Sequence, residues 1–512
     1  MKPPIKIMEE AMVRSVTRVF ILLIGLSLLS VTTVFGFDFS ELENSVTEFT
    51  LENGLKIIVM ERHEAPVISF VTFANVGAVD DPKGYTGLAH MFEHMAFKGT
   101  TTLGTKDIKK ELELIAVEDS VFLELRAERK KGRLADSAKI EVLEAAYDEA
   151  REASYEYVVP NELGNVVERE GGIGLNAGTG YDFTVYFMNF PSNRLELWMA
   201  LESERFLNPV LREMYKERDV VAEERRMRTD SNPFGRLFEE FLAVAFKAHP
   251  YGIPVIGHMS DIQNYSRPAG RAYFEKYYSP SNLTVAIVGD VKPKDVKKLA
   301  EQYWGRLPRR SAPERIATVE PEQLGERRVV LEDPSQPIYL VGWHIPEGTH
   351  PDRPALDALV DYLGQGRTSL LYKNLVKEKK IAMNVAAFAG VPGEKYPTLL
   401  GAFAMASSGH TNEECETEIF KEVEKLKDEL ISEEDLAKIK ARTKASLINQ
   451  LDDNQGLAFQ LTYYQVSWGD WRELFQELDR INAVTAEDVQ RVAKKYLTKK
   501  NRIVGMINTE ES

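Results

Sequence analysis

Clusters of apolar and β-branched residues predict that the chain begins its folded part with a small sheet. Residues 49–51 and 55–60 have this character and flank Glu52-Asn53-Gly54, whose Asn-Gly pair is typical of a tight hairpin turn. Residues 67–73 have the same composition and continue the sheet. In the next segment, residues 88–95, Leu88, Met91, Phe92 and Met95 would bury much of a helix. Strands followed by a helix indicate an α+β fold.

The segment from residue 106 to about residue 158 has a different pattern. It is dense in charge and almost free of Gly and Pro, apart from Gly132 between two stretches of helical periodicity. We therefore predict an antiparallel helical hairpin that is largely exposed to solvent. A segment of this kind usually acts as a spacer or a docking arm.

The hydrophobic patterns farther along the chain predict strands and helices in a similar order. Residues 184–190 alternate as in a strand, residues 195–207 form an amphipathic helix, residues 283–288 form a strand, and Pro293 opens a helix that reaches about residue 303. A polar linker starts near Pro308 and reaches about Gly325, and beyond it residues 329–331 and 338–343 are predicted strands, followed by a helix over 354–363. This helix occupies the place in the second half that residues 88–95 occupy in the first, but it has no histidine pair.

Composition and charge narrow the class of protein. The chain has 512 residues, of which 44% are apolar, so it can build sizeable cores in more than one domain. Its net charge of −15 and the lack of a basic run argue against nucleic acid as a partner. The single Cys415 excludes an intramolecular disulfide, so stability must come from packed cores.

The first residues predict export. Arg14 and Arg18 precede an uncharged stretch over residues 19–36, and Val34-Phe35-Gly36 resembles a signal-peptidase site. We interpret residues 1–36 as a cleaved signal peptide, which would deliver the protein to the bacterial periplasm or the medium. The alternative is an uncleaved membrane anchor, because the uncharged stretch is nearly long enough to span a bilayer.

The candidate chemistry lies in the predicted helix over residues 88–95. His90 and His94 are four residues apart, so their rings share one helix face and can converge on a zinc ion. Glu93 can reach the same side without binding the metal, where it could take a proton from water. The order of these residues is the inverse of the commoner H-E-x-x-H motif. Thr86 could cap this helix. The alternative interpretation of the pair is two surface or half-buried histidines without a metal.

A third ligand cannot be chosen from periodicity alone. The segment 217–224 is helical by composition, and Glu217, Glu223 and Glu224 are all candidates, or else they form a solvated acidic face. The glycine-rich run around Asn176-Ala177 precedes the alternating strand over 184–190. It could bring an edge strand close to the metal and bind an extended peptide, or it could be an ordinary edge strand.

Several motifs together resemble those of the pitrilysin, insulysin and mitochondrial processing peptidase family. These motifs are His90-Met91-Phe92-Glu93-His94, Asn176-Ala177, the segment 217–224, Pro250-Tyr251-Gly252, Ile256-Gly257, residues 277–282 and Gly289-Asp290. The resemblance implies a zinc endopeptidase with one Zn²⁺ per chain, ligated by His90, His94 and Glu224. It further implies Glu93 as the catalytic base, Glu217 as a supporting acid, and substrate binding at Asn176 and Ala177.

The same resemblance implies an α+β fold with two homologous α/β-sandwich-like domains, each a mixed, largely antiparallel sheet packed with helices. We place the zinc-bearing domain at 37–310, with the helical hairpin over 106–165 as an insertion. The linker is placed at 311–325 and the second, metal-free domain at 326–512.

One departure from the family pattern bears on partners. Family members acting on peptides often carry an Arg and a Tyr that orient the substrate, and Val376 and Met383 stand at the matching places. The resemblance therefore implies a homologous second subunit that supplies the pair, or a homodimer. Two other functions stay open: a catalytically idle structural or assembly subunit, and a peptide-binding module without turnover.

Overall fold

The first half of the chain contributes one mixed sheet of six strands. The computed structural model describes residues 39–509, and the strands of the first half are β1 (Val46–Thr50), β2 (Lys56–Glu61), β3 (Val67–Ala74), β4 (Ile173–Thr179), β5 (Thr184–Pro191) and β6 (Leu283–Gly289). Their order in the sheet is β1-β2-β6-β3-β5-β4. Only β2 and β6 pair in parallel, and β4 lies at the free edge.

A second sheet of five strands repeats this arrangement. Its strands are β7 (Arg327–Asp333), β8 (Ile338–Ile345), β9 (Ala382–Val391), β10 (Thr398–Ala406) and β11 (Arg502–Thr509), in the order β7-β11-β8-β10-β9. Again one pair, β7 with β11, is parallel and the others are antiparallel. The predicted α+β fold with two related, largely antiparallel sheets is confirmed.

The helices of the described residues include the two that supply the candidate site. They are α1 (Phe39–Asn44), α2 (Leu88–Met95), α3 (Ile108–Arg129), α4 (Ser137–Tyr155), α5 (Glu162–Arg169), α6 (Leu195–Leu207), α7 (Met214–Arg225), α8 (Pro233–Ala245), α9 (Met259–Ile262), α10 (Arg267–Tyr277), α11 (Pro293–Tyr303), α12 (Arg353–Gly364), α13 (Asn412–Asp428), α14 (Glu433–Leu451), α15 (Asn454–Ser467), α16 (Glu473–Ala483) and α17 (Ala486–Tyr496). Within residues 39–509, no helix combines the length and the apolar character that crossing a membrane requires. The predicted signal peptide over 1–36 lies outside the described residues.

Each sheet receives a helix from the other half of the chain. Helix α8, from the first half, packs on β7 and β11, while α15, from the second half, packs on β3 and β6. The Phe241 ring on α8 lies against Gly342 and Gly505, where any larger residue would push it away. A sheet must bury its apolar face, and here that burial depends on both halves. From Ser45 onward the chain accordingly forms one compact unit.

The predicted linker is attached to both halves. Residues 311–325 contain no helix or strand, but the Glu320 carboxylate accepts hydrogen bonds from the backbone N–H groups of residues 247–249. The Gln323 amide donates to the carbonyls of Lys500 and Arg502. The limits 37–310, 311–325 and 326–512 stay predictions.

The helical hairpin is largely exposed, as its composition predicts, but one of its faces packs against the rest of the first half. One face of α3 is buried, and Phe122 and Leu125 pack with Tyr147 of α4 and Tyr215 of α7. Other apolar residues on the hairpin are exposed, among them Leu112, Leu123 and Val142.

Buried charges also anchor α3. The carboxylates of Glu111 and Glu118 are fully buried and are paired with Arg212 and Arg267, respectively. Apolar periodicity could not show these attachments, because they depend on arginines 101 and 149 residues away.

The N-terminal cap of α2, the helix that carries the histidine pair, differs from the predicted one. The expected cap, Thr86, instead donates its hydroxyl to Asp261 and accepts from the His258 N–H. The N–H groups of Gly87 and Ala89 at the start of the helix have no acceptor within it, and they donate to the Asp81 carboxylate at 2.7 and 2.8 Å. Asp81 is therefore the side chain that caps α2.

Candidate metal centre

Helices α2 and α7 cross so that their polar side chains meet. Helix α2 is anchored by Leu88, Met91, Phe92 and Met95, all buried in the core of the first half. This anchoring leaves His90 and His94 on the side that faces α7. Helix α7 is fixed likewise by its buried residues, which include Met214 and Val221.

The structure brings His90, His94 and Glu224 together. The Nε2 atom of His90 lies 3.6 Å from Oε1 of Glu224, and Nε2 of His94 lies 3.4 Å from Oε2. One ligand atom from each of the three side chains falls within 4.8 Å of the others. Among the described residues no other cluster of His, Cys, Asp and Glu meets this condition.

The donor set fits a zinc ion. Two donors bound at about 2.0–2.1 Å and separated by a tetrahedral angle lie about 3.3 Å apart, close to the distances between Glu224 and the two imidazoles. Two imidazole nitrogens and one carboxylate are also the ligands of several catalytic zinc sites, which keep a fourth position open.

Glu217 lies on the far side of His94 from Glu224. Its Oε2 atom is 3.3 Å from Nδ1 of His94, while its Oε1 accepts a hydrogen bond from the ammonium of Lys98. A carboxylate on the second nitrogen of a ligating histidine fixes the tautomer and the ring orientation. Sequence reasoning placed Glu217 beside the site but missed Lys98.

Charge at the site is unevenly distributed between the two histidines. Burial lowers the pKa of His90 to about 4, which keeps its imidazole in the neutral form that binds metals. Burial would also lower the pKa of His94, but hydrogen bonds to Glu217 and Glu224 raise it to about 9. The two carboxylates thus stabilise positive charge at His94, as a proton or as a bound cation.

Glu93 lines the same cleft as the two histidines. Burial raises the pKa of its carboxyl group, while Thr179 and His94 offset part of this rise. A carboxylate with a raised pKa is a stronger base than an ordinary one, as proton abstraction from water requires. The cleft has a volume of about 910 Å³, and its apolar wall includes Phe238, Leu242 and Val255.

The free edge of the first sheet borders this cleft. Ala177, Gly178 and Thr179 of β4 line it, and Asn176 is exposed on the same strand. The Asn176 side chain accepts a hydrogen bond from the N–H of Ala177 at 2.9 Å. That backbone donor is therefore satisfied by a side chain that an incoming strand could displace.

Two further charged residues, Glu223 and Arg228, lie near the metal centre. Glu223, which periodicity could not separate from Glu224, has a largely exposed side chain paired with Arg226. Sequence reasoning also missed Arg228, whose guanidinium Nη1 lies 2.7 Å from Oε1 of Glu224. The i, i+4 spacing of Glu224 and Arg228 is the pattern that could have revealed this pair.

Every residue that lines the cleft comes from the first half of the chain. In the second half, Val376 lies in a short π-helical stretch, Tyr372–Glu378, and Met383 lies on β9 with about half of its surface exposed. Neither side chain has an N–H or O–H group to donate to a peptide.

Comparisons with known proteins agree with this architecture. The family model described as "Insulinase (Peptidase family M16)" matches residues 56–126 and 153–258. A second family model, described as "Peptidase M16 inactive domain", matches residues 265–443. The second match excludes His90, His94 and Glu224, so its name does not refer to the half that carries the cluster. The stretch between the two parts of the first match, residues 127–152, holds most of α4.

Similar proteins match nearly the whole chain. "Zinc protease PqqE" of Helicobacter pylori is 29% identical over 459 residues, which are 87% of this chain and 89% of that protein. A crystal structure of a protease from Helicobacter pylori matches with a TM-score of 0.74 and 27% identity, over 90% of this chain and 99% of that chain. The first half of the periplasmic protease PqqL from Escherichia coli has the same fold, with a TM-score of 0.66 and 18% identity, over 90% of this chain and 92% of that chain. The chain belongs to the insulinase family of peptidases, family M16.

Proposed function

We propose that this chain is a zinc-dependent endopeptidase that hydrolyses peptides or unfolded polypeptide segments bound as an extended strand. The observation that carries this proposal is the convergence of His90, His94 and Glu224 in a cleft that also holds Glu93 and the edge of β4. An idle scaffold would need neither the ligand set nor the adjacent base. The name of the Helicobacter pylori relative, a zinc protease, supports the same activity.

Each residue has a distinct role in the proposed reaction. His90, His94 and Glu224 would hold one zinc ion, which supplies the Lewis acidity that polarises a peptide carbonyl and acidifies water. Glu93 takes the proton of the attacking water as the C–O bond forms. It then gives that proton to the amine nitrogen as the C–N bond breaks. Glu217 keeps the His94 ring oriented.

The substrate would extend the first sheet at β4. An added strand forms main-chain hydrogen bonds with the free edge, which gives affinity without a strict sequence requirement. Asn176 and Ala177 would then contact the peptide backbone next to His90 and His94. Gly178 leaves open space on this strand where it lines the cleft.

Ala177→Pro tests the role of this edge. The substitution removes the N–H of residue 177, and proline is tolerated on an edge strand whose N–H does not pair with its neighbour. One backbone hydrogen bond contributes about 0.5–1.5 kcal/mol, so we expect kcat/KM to fall about 2- to 13-fold, mainly through KM. Ala177→Ser, which keeps the N–H, serves as the control and should cleave like the wild type. Equal kinetics for both variants would exclude strand addition at this position.

We also propose that the active form contains a second chain of the same fold, or a second copy. The cleft receives no residue from the second half, and Val376 and Met383 replace the expected substrate-orienting pair. The Escherichia coli periplasmic protease PqqL matches over only 47% of its own chain, so that chain has room for two units of this size. Because that relative is called periplasmic, we propose that this protein is also exported.

Metal removal tests the proposed activity. Quenched fluorescent peptides should be cleaved by the purified chain, alone or with its partner, and a zinc chelator should abolish cleavage until zinc is restored. An assembly subunit would neither bind zinc nor cleave, whereas a binding module would hold zinc and bind the peptides without cleaving them. Cleavage that persists after complete zinc removal would contradict the proposal.

A further inference from the structure

The carboxylate of Glu217 is held from two sides. One oxygen faces Nδ1 of His94 at 3.3 Å, and the other accepts a hydrogen bond from the ammonium of Lys98. The same ammonium lies 3.6 Å from Oε2 of Glu213. Both glutamates are buried, so Lys98 separates two carboxylates that would otherwise repel each other.

The backbone of Lys98 is fixed as well. Arg212, a buried residue, donates from Nη1 to the carbonyls of Lys98 and Leu103 at 2.7 and 2.9 Å, and from Nη2 to that of Thr100 at 2.8 Å. One guanidinium therefore holds three carbonyls of the loop that follows α2. Its planar fork of donors suits this arrangement, which a lysine could not reproduce.

Arg212 is in turn anchored to α3. Its Nε donates to Oε1 of Glu111 at 2.7 Å and its Nη2 to Oε2 at 3.3 Å, in a fully buried bidentate pair. The residues on either side, Leu211 and Glu213, have φ values of 56° and 57°. Such a conformation is costly for residues other than glycine and persists only where surrounding contacts impose it. This turn leads directly into α7, which carries Glu217 and Glu224.

We infer that Lys98 is a positioning residue of the metal centre, which fixes His94 through Glu217 and is itself held in place by the Arg212–Glu111 pair. This inference rests on the proposed zinc site. It gives α3 a function that a spacer would not have: α3 sets the register between the histidine helix and the glutamate helix. Partners that orient a metal-ligating histidine typically change metal affinity or activity by about 10- to 100-fold.

The test is a double-mutant cycle on zinc affinity. The dissociation constant of zinc is measured by competition with a fluorescent chelator for the full chain and for Lys98→Met, Lys98→Arg, Glu217→Gln and the Lys98→Met/Glu217→Gln double variant. We expect Lys98→Met to weaken zinc binding about tenfold, or about 1.4 kcal/mol, and Lys98→Arg to restore most of this loss. In the Glu217→Gln background, Lys98→Met should have almost no further effect, because its target is absent.

A matched control is Lys395→Met. Lys395 is also a half-buried lysine with a side-chain hydrogen bond, to Oδ1 of Asn75 at 2.8 Å, and it lies outside the metal centre. The zinc affinity of the Lys395→Met variant should equal that of the wild type. Lys98→Met should also unfold, without metal, within a few degrees of this control, because each variant removes a half-buried lysine that lies near two carboxylates.

The outcomes separate this inference from the proposed function. If the wild type binds no zinc, the proposed metal site itself fails. If the wild type binds one zinc per chain but Lys98→Met binds it equally well, the positioning role is excluded. If Lys98→Met weakens zinc binding equally in the wild-type and in the Glu217→Gln background, the positioning role is also excluded. Should Lys98→Met not fold, Lys98→Gln, which keeps a donor but not the charge, is measured with the same expected loss.

Discussion

Glu93→Gln should abolish peptide hydrolysis while zinc stays bound. The substitution keeps the size of the side chain and a hydrogen-bonding group, but the amide cannot accept the proton of the attacking water. General-base catalysis is typically worth roughly 10²–10⁴-fold, and we expect a loss in kcat of at least that order. Zinc content should stay at one per chain, because Glu93 is not among the three clustered side chains. Peptide cleavage is followed with quenched substrates and zinc by elemental analysis.

Glu239→Gln provides the control for this variant. Glu239 also lines the cleft, but it forms a bidentate pair with Arg225 and is not part of the histidine cluster. We expect it to retain catalysis within a few fold of the wild type. A Glu93→Gln protein that still cleaves at the wild-type rate would remove the proposed base.

Glu224→Gln should release the metal. An amide is a poorer zinc ligand than a carboxylate, and the substitution also removes the negative charge that faces both imidazoles. Because losing a partner of a ligand already costs about 10- to 100-fold, losing a ligand should weaken zinc binding more than about 100-fold. Cleavage should then be lost together with zinc.

The neighbouring Glu223 offers a close comparison. It lies on the same helix, has the same charge and differs in pointing to solvent, where it pairs with Arg226. Glu223→Gln should therefore bind zinc and cleave peptides like the wild type. If the two substitutions had equal effects on zinc affinity, Glu224 would not be the third ligand.

The sequence predicts elements formed by local patterns better than contacts made at a distance. Helices α6 and α11 begin and end at the predicted residues, and the Asn53-Gly54 hairpin joins β1 and β2 in antiparallel register. Period-2 and period-3.6 patterns depend only on neighbouring residues, so one sequence reveals them. The cap of α2 by Asp81, in contrast, depends on the path of the preceding loop, and the sequence favours the adjacent Thr86 instead.

The candidate site also combines features that local spacing predicts with features that depend on distant contacts. The four-residue spacing of His90 and His94 is enough to place both rings on one helix face, whereas helical periodicity treats Glu217 and Glu224 alike. Only the crossing of α2 and α7 distinguishes them: Glu224 faces the Nε2 atoms of both histidines, and Glu217 faces Nδ1 of His94.

The helical hairpin illustrates why its attachment could not be predicted. The buried pairs of Glu111 with Arg212 and Glu118 with Arg267 join residues that are far apart in the chain and leave no periodic pattern. The hairpin's charged residues therefore indicate an exposed arm, although several of them are buried ion-pair partners.

The most direct test of this account is to locate the metal itself. A crystal of the zinc-loaded protein, measured on both sides of the zinc absorption edge, should give one anomalous peak per chain. That peak should lie within about 2.0–2.2 Å of Nε2 of His90, Nε2 of His94 and a carboxylate oxygen of Glu224. The absence of a peak at this position, or a zinc ion bound there without Glu224, would contradict the proposed metal site.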